Sequence, residues 1–253
     1  MLIQIISAQE APQRTYLEVN CIKAKNDKVE EVAKKILKPY YETRIKDGNI
    51  ASWDFYKVRF PNGKDCNCDF YSVKLIDKFE NLNYTSEQRM AYFATAFEGK
   101  DLESLIQEAR AALEIVETNI YENLDAAIKP GSVKPADYGF VNYFEIEAQH
   151  ENDFREMMSK YGKPFFKGGI EAGNMEGWFF FRRWLPKGTD FGPNYVTVDA
   201  WGSFNNIDEF RNNEYELIKK VHPEVDLQAV GNQFDQIAKM TRRELIELVE
   251  WVR

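Results

Sequence analysis

Leu17, Val19 and Cys21 alternate with polar residues, and Phe144 and Ile146 do so again 125 positions later. This period of two marks strands with one buried face. Asp27-Lys28-Val29-Glu30 then resembles a capping box, and Val29, Val32, Ala33, Ile36 and Leu37 follow helical spacing. Phe154, Met157, Met158 and Tyr161 repeat that spacing. Each predicted helix reaches a Lys-Pro, at Lys38-Pro39 and Lys163-Pro164, where proline disfavours continuation. Strands are predicted over 50–60 and 70–76 around Pro61-Asn62-Gly63, and over 175–185 and 195–201 around Pro186-Lys187-Gly188. A shorter helix over 86–97 has a counterpart around 211–221. Two long amphipathic helices complete the pattern. Leu102, Leu105, Ile106, Ala109, Leu113, Val116 and Ile120 form one stripe, and Leu227, Val230, Phe234, Ile237, Thr241, Leu245 and Leu248 the other.

The two patterns are one pattern. At an offset of 125, Lys38-Pro39 falls on Lys163-Pro164, Gly48-Asn49 on Gly173-Asn174, Trp53 on Trp178 and Phe55 on Phe180. Between 38 and 65, ten of 28 positions are identical, against about two expected from ordinary composition. The match needs no gap and reads as a tandem duplication. The Pro- and Gly-containing stretch 129–135 marks the boundary. The chain therefore divides into a tail (1–13), a first repeat (14–128) and a second repeat (136–253).

Each repeat reads β-α-β-β-α-α, an α+β class. In fused pairs this resembles the dimeric α/β-barrel superfamily, which is built on a ferredoxin-like plait. The resemblance covers nearly the whole chain after residue 14 and lies in architecture, not in a family motif. Neither repeat alone can bury both its sheet and its helices, so two antiparallel sheets packed together or joined, with helices outside, are expected. The resemblance also implies a choice among many activities, from cofactor-free monooxygenases to haem-degrading enzymes and ligand-binding regulators, because fold does not fix function. The plait's fourth strand has no counterpart in this reading, either after Ala127 or before Arg253.

Composition narrows the choice. With 18 Phe, 13 Tyr and 5 Trp, aromatic packing between sheet and helix is expected, and a pocket for a flat ligand is the functional alternative. A net charge of −8 without a basic stripe speaks against nucleic-acid binding. No apolar run is long enough to span a membrane. Residues 1–13 start apolar and turn polar at Glu10-Ala11-Pro12, like the end of a secretory signal peptide, so export to a periplasmic or extracellular compartment is expected; a plain apolar tail on a cytoplasmic protein is the alternative. Cys21 reads as a small core residue. Cys66-Asn67-Cys68 at a hairpin tip could hold a soft metal or close on itself.

Candidate chemistry is sparse. Asn49 with Trp53, repeated as Asn174 with Trp178, is similar to an Asn and Trp at the start of the second strand in some cofactor-free monooxygenases. The resemblance implies an amide that holds an oxyanion and an indole that walls the pocket. Turn chemistry and core packing explain the same residues. Trp53 and Arg59 share a strand face, as do Trp178, Arg182 and Trp184, which suits a flat anionic ligand or a snorkelling rim. His150 and His222 lack metal-ligand spacing. Neither metal nor cofactor is expected, and no catalytic set is identified. The sequence thus supports a module, monomeric or homodimeric, that binds a small aromatic or hydrophobic ligand between its halves. A cofactor-independent monooxygenase and an interaction module without a pocket are the alternatives.

Overall fold

The computed structural model describes residues 14–61 and 67–253; the signal-like tail and Cys66 lie outside them. The first half runs β1 (Tyr16–Ala24), α1 (29–46), β2 (Ser52–Phe60), β3 (Phe70–Ile76), α2 (Ser86–Ala96), α3 (Leu102–Ala112) and β4 (Leu113–Ile128). The second half repeats this order as β5 (Tyr138–Glu145), α4 (151–171), β6 (Gly177–Leu185), β7 (Tyr195–Trp201), α5 (Phe204–Val221), α6 (Leu227–Ile237) and β8 (Lys239–Val252).

The strands close into one barrel in the order β1-β3-β2-β8-β5-β7-β6-β4. Of the packing or joining expected of the two sheets, the structure shows joining: the halves meet edge to edge, β2 with β8 and β4 with β6. The missing fourth strands are β4 and β8, and each occupies the C-terminal part of a segment predicted to be helical. Residues 113–120 place Leu113, Val116 and Ile120 at helical spacing, yet Ile115, Val116, Thr118 and Ile120 are all β-branched. Pairing settles the ambiguity. The first part of β4 hydrogen-bonds to β1 and its last part to β6. Likewise β8 pairs first with β5 and then with β2. Closure removes every exposed sheet edge.

Helices α1 and α4 pass through their prolines instead of ending there. A π-turn, Ala33–Leu37 or Met158–Gly162, precedes each one, and Pro39 and Pro164 sit in the first turn of the α-helical segment that follows. A first-turn proline forfeits no helical hydrogen bond. The capping box expected at Asp27–Glu30 is not formed; Asn26 Oδ1 instead accepts from the Lys28 amide at 2.9 Å.

The gapless repeat also needs correction. Tyr16 pairs with Ile76, and Tyr138 pairs with Trp201. Ile76 and Trp201 lie 125 apart, but Tyr16 and Tyr138 lie 122 apart. The three additional residues of the second half fall between β5 and α4, where Ala148–His150 forms a short turn.

The barrel interior holds Val58, Val141, Phe181, Val196 and Ile246 with three tyrosines, Tyr71, Tyr121 and Tyr143. Tyr71 donates to Glu244 Oε2 at 2.7 Å, and Tyr143 lies 3.1 Å from both Glu244 and the Tyr71 hydroxyl. Burial pushes both phenols well above their usual pKa. Cys21 is not a free core thiol. It is bonded to Cys68, across 47 residues, and ties β1 to the start of β3.

Candidate ligand-binding site

The outer face of each half of the barrel is covered by its helices, and this layer contains most of the residues singled out by sequence. Its assembly starts at a helix end. Gly48 and Gly173 adopt φ of +71° and +83°, and each closes its helix with a pair of backbone bonds. Gly48 and Asn49 donate to Ile45 and Arg44, and Gly173 and Asn174 to Ile170 and Gly169. This is a Schellman ending, which needs a residue tolerant of positive φ. It accounts for Gly-Asn in both halves. The Asn49 side chain accepts from Arg44 Nε at 2.8 Å, and Asn174 Nδ2 donates to Glu209 at 3.3 Å.

Two strand residues beyond these turns, Trp53 and Trp178 are fully buried. Trp53 stacks on Tyr41 at 4.8 Å, and Trp178 on Phe166 at 5.4 Å. They belong to separate clusters, one per half. Trp184 crosses to the first half's cluster, where it meets Phe79 edge-on at 4.7 Å and Tyr16 at 5.7 Å. Arg182 is held by Glu122 at 2.5 Å, and the exposed Arg59 by Glu247 at 2.9 Å. Arg59 also lines a groove of about 460 Å³ with Lys57 and Phe60. That groove is open, and both its strand cations are paired, Lys57 with Glu30 at 2.6 Å. Among the described residues, none that lines it carries a buried polar atom without a partner.

The two layers differ in what they leave unsatisfied. In the first half, the Trp53 indole donates to Ser72 Oγ at 2.9 Å, and its cross-strand neighbour Lys74 is ion-paired with Glu18. In the second half, Thr197 stands where Ser72 stood, but the Asn142 amide donates to its hydroxyl at 3.0 Å. Trp178 Nε1 is left with no partner among the described residues. Asp199 replaces Lys74, and the residue facing it on β5 is Phe140 where the first half has Glu18. Where the first half has an ion pair, the second has a carboxylate beside an aromatic ring.

Asp199 is held on one side only. Arg243 Nε donates to Asn142 Oδ1 at 2.5 Å, and Asn142 Nδ2 donates to Asp199 Oδ2 at 3.0 Å. Asp199 Oδ1 has no partner among the described residues, nor has the indole nitrogen of Trp201, two residues along the same face. Burial raises the Asp199 pKa to about 6, against the opposing pull of the Asn142 hydrogen bond and Arg243, with Glu214 adding to the rise. Buried polar groups in folded proteins are nearly always paired. Here two donors and one acceptor, on adjacent strands, are not.

A groove of about 230 Å³ lies above this layer between α4 and α5, lined by Asn174, Phe210, Asn213 and Lys220. Phe210 forms its floor and packs edge-on against Trp201 at 5.0 Å. Sequence reading missed Asp199, Asn142 and Trp201. A signal was present, since Asp199 is the one charge in the apolar strand Tyr195–Trp201. Arg44 was missed too, although Tyr40, Tyr41 and Arg44 are spaced to share a helix face.

No family model and no curated protein sequence matches this chain. Solved structures do. A "putative monooxygenase" from Lactobacillus acidophilus NCFM superposes with a TM-score of 0.54 at 8% identity, covering 95% of this chain and 96% of that one. A protein of the same description from Fusobacterium nucleatum gives 0.51 at 9% identity, covering 94% and 93%. At such identities the likeness is one of fold.

Proposed function

We propose that the second half binds a small, flat, hydroxylated aromatic molecule between β6, β7 and the covering helices. The observation that carries this reading is the set of three unpaired buried polar atoms, Trp178 Nε1, Trp201 Nε1 and Asp199 Oδ1, in one aromatic-walled layer. Asp199 ionises near pH 6, so at neutral pH it accepts a hydrogen bond from a ligand hydroxyl. Arg243 and Asn142 fix its orientation from the other side. The two indoles supply N–H donors for a second ligand oxygen, and their rings supply the apolar walls usual in small-molecule sites.

A second reading, oxygenation without a cofactor, is favoured by the proton affinity of Asp199. A base with a pKa near the working pH can take the hydroxyl proton of a phenol. The phenolate that remains is electron-rich, and such a substrate can itself reduce dioxygen. One oxygen atom enters the product, and the other leaves as water with two hydrogens from the substrate. The monooxygenase descriptions of two proteins sharing the fold agree with this reading. The Cys21–Cys68 bond supports an oxidising, exported location. The shared element order supports an origin by duplication, after which the sheet–helix layers diverged.

Isothermal titration of the full chain with a polyhydroxylated bicyclic aromatic and with its fully methylated ether tests the binding reading. The ether should bind about tenfold more weakly or worse, because it leaves Asp199 unpaired. Trp178→Phe should weaken both compounds, because an ether oxygen still accepts from the indole N–H. Equal affinities would remove the reading. Oxygen uptake that is lost in Asp199→Asn would support the second one.

A further inference from the structure

We infer that the first half carries a separate site for a small carboxylate, centred on the buried guanidinium of Arg44. Arg44 is fully buried. Its Nε donates to Asn49 and its Nη1 to the Tyr84 hydroxyl at 3.3 Å, while Nη2 has no partner among the described residues. Arg44 forms no ion pair there either. A buried cation without a counter-ion is costly.

The charges around it do not balance. Lys74 is buried in the same layer and bonds to Glu18, the carboxylate that also acts on Arg44. Two cations thus share one anion. The aromatic surroundings are those of a cation cage, with Tyr84 at 4.3 Å, Tyr41 at 5.6 Å and Tyr40 at 5.7 Å from the guanidinium carbon. Tyr40 and Tyr84 are half-buried; Tyr84, the nearest of the three to the guanidinium, lies in the connection ahead of α2 and covers Arg44 there. With Tyr84 turned aside, the open end of the guanidinium presents parallel N–H groups from Nη1 and Nη2. That fork matches a carboxylate. The tyrosine faces accept a flat apolar body, so an aromatic carboxylate is the fitting class.

The second half cannot hold such a site. Its counterpart of Arg44 is Gly169, and the space is taken by Phe210, which would lie 2.6 Å from a Cβ placed there. The inference is therefore independent of the hydroxyl-binding reading of the second half.

The test is isothermal titration of the full chain with benzoate, benzamide and inorganic phosphate. Benzoate should bind at least about tenfold more tightly than benzamide, as expected for a charge-assisted fork, and more tightly than phosphate. Arg44→Gln should abolish that preference. Tyr84→Phe removes the hydroxyl that competes for Nη1 and should strengthen benzoate binding by about threefold; it keeps the test decisive should Arg44→Gln not fold. Benzoate binding no tighter than benzamide, binding unchanged in a folded Arg44→Gln, or no gain in Tyr84→Phe would each overturn the inference.

Discussion

Trp178 and Asp199 are direct cross-strand partners on β6 and β7, and each carries a buried polar atom with no partner among the described residues. Their counterparts, Trp53 and Lys74, are also cross-strand partners, yet there the indole bonds Ser72 and the ammonium bonds Glu18. The same backbone frame thus pairs this tryptophan and its cross-strand neighbour in the first half and leaves both open in the second.

This relationship makes stability depend on pH. The Asp199 carboxyl ionises near 3.8 when unfolded and at about 6 when folded. Between these values the unfolded chain has lost the proton and the native chain keeps it. The group's contribution therefore falls as pH rises from about 4 to about 6, and levels off above. Two pKa units correspond to about 3 kcal/mol. Asp199→Asn, with no charge to bury, should gain roughly that much on wild type between pH 4 and 7. Urea unfolding of both proteins at several pH values measures it, and parallel curves would mean that Asp199 ionises normally in the native state.

The two tryptophans should respond unequally to loss of the indole N–H. Trp53→Phe breaks a hydrogen bond and strands the Ser72 hydroxyl, whereas Trp178→Phe removes an N–H that has no partner among the described residues. Both lose similar apolar volume. Trp53→Phe should cost about 1 kcal/mol more. Denaturant midpoints at constant m-value read the difference.

Much of the frame was legible because it rests on local pattern. The alternation in β1, the helical spacing of Val29 to Leu37 and the hairpin prolines all come from short-range periodicity. Trp53 and Trp178 were found because the repeat marked them. What escaped depends on pairing between distant segments. Residues 113–120 suit a helix by spacing and a strand by composition, and only their position between β1 and β6 decides. Cys21 gave no sign of its bond to Cys68, since three cysteines allow several pairings. No motif marks Arg44 or Asp199, and their burial depends on the layer that distant segments build around them.

The Cys21–Cys68 bond closes a span of 47 residues. Chain-entropy reasoning assigns such a loop about 4 kcal/mol. The double variant Cys21→Ala/Cys68→Ala should unfold at correspondingly lower denaturant, and reductant should weaken the wild type but leave the variant unchanged. A wild type indifferent to reductant would show that the bond contributes nothing to stability.

Gly169 offers a way to reach the second-half layer without touching its polar atoms. A methyl group there would sit 2.6 Å from Phe210 Cε2 and 3.0 Å from Met175 Sδ. Phe210 packs against Trp201 and Phe165 at 5.0 and 5.3 Å, and Met175 is fully buried, so the methyl group must push Phe210 out of these contacts. Overpacking of this kind costs about 1–3 kcal/mol. Gly169→Ala should therefore be destabilised by that amount, and the displaced Phe210 should disturb the floor of the groove at Asn174. If Phe210 separates that groove from Trp201, the variant should also change its affinity for hydroxylated aromatics while its affinity for benzoate stays as in wild type. Calorimetric titration of both ligand classes against the one variant separates the two halves, and parallel changes in both would show that the layers are not independent.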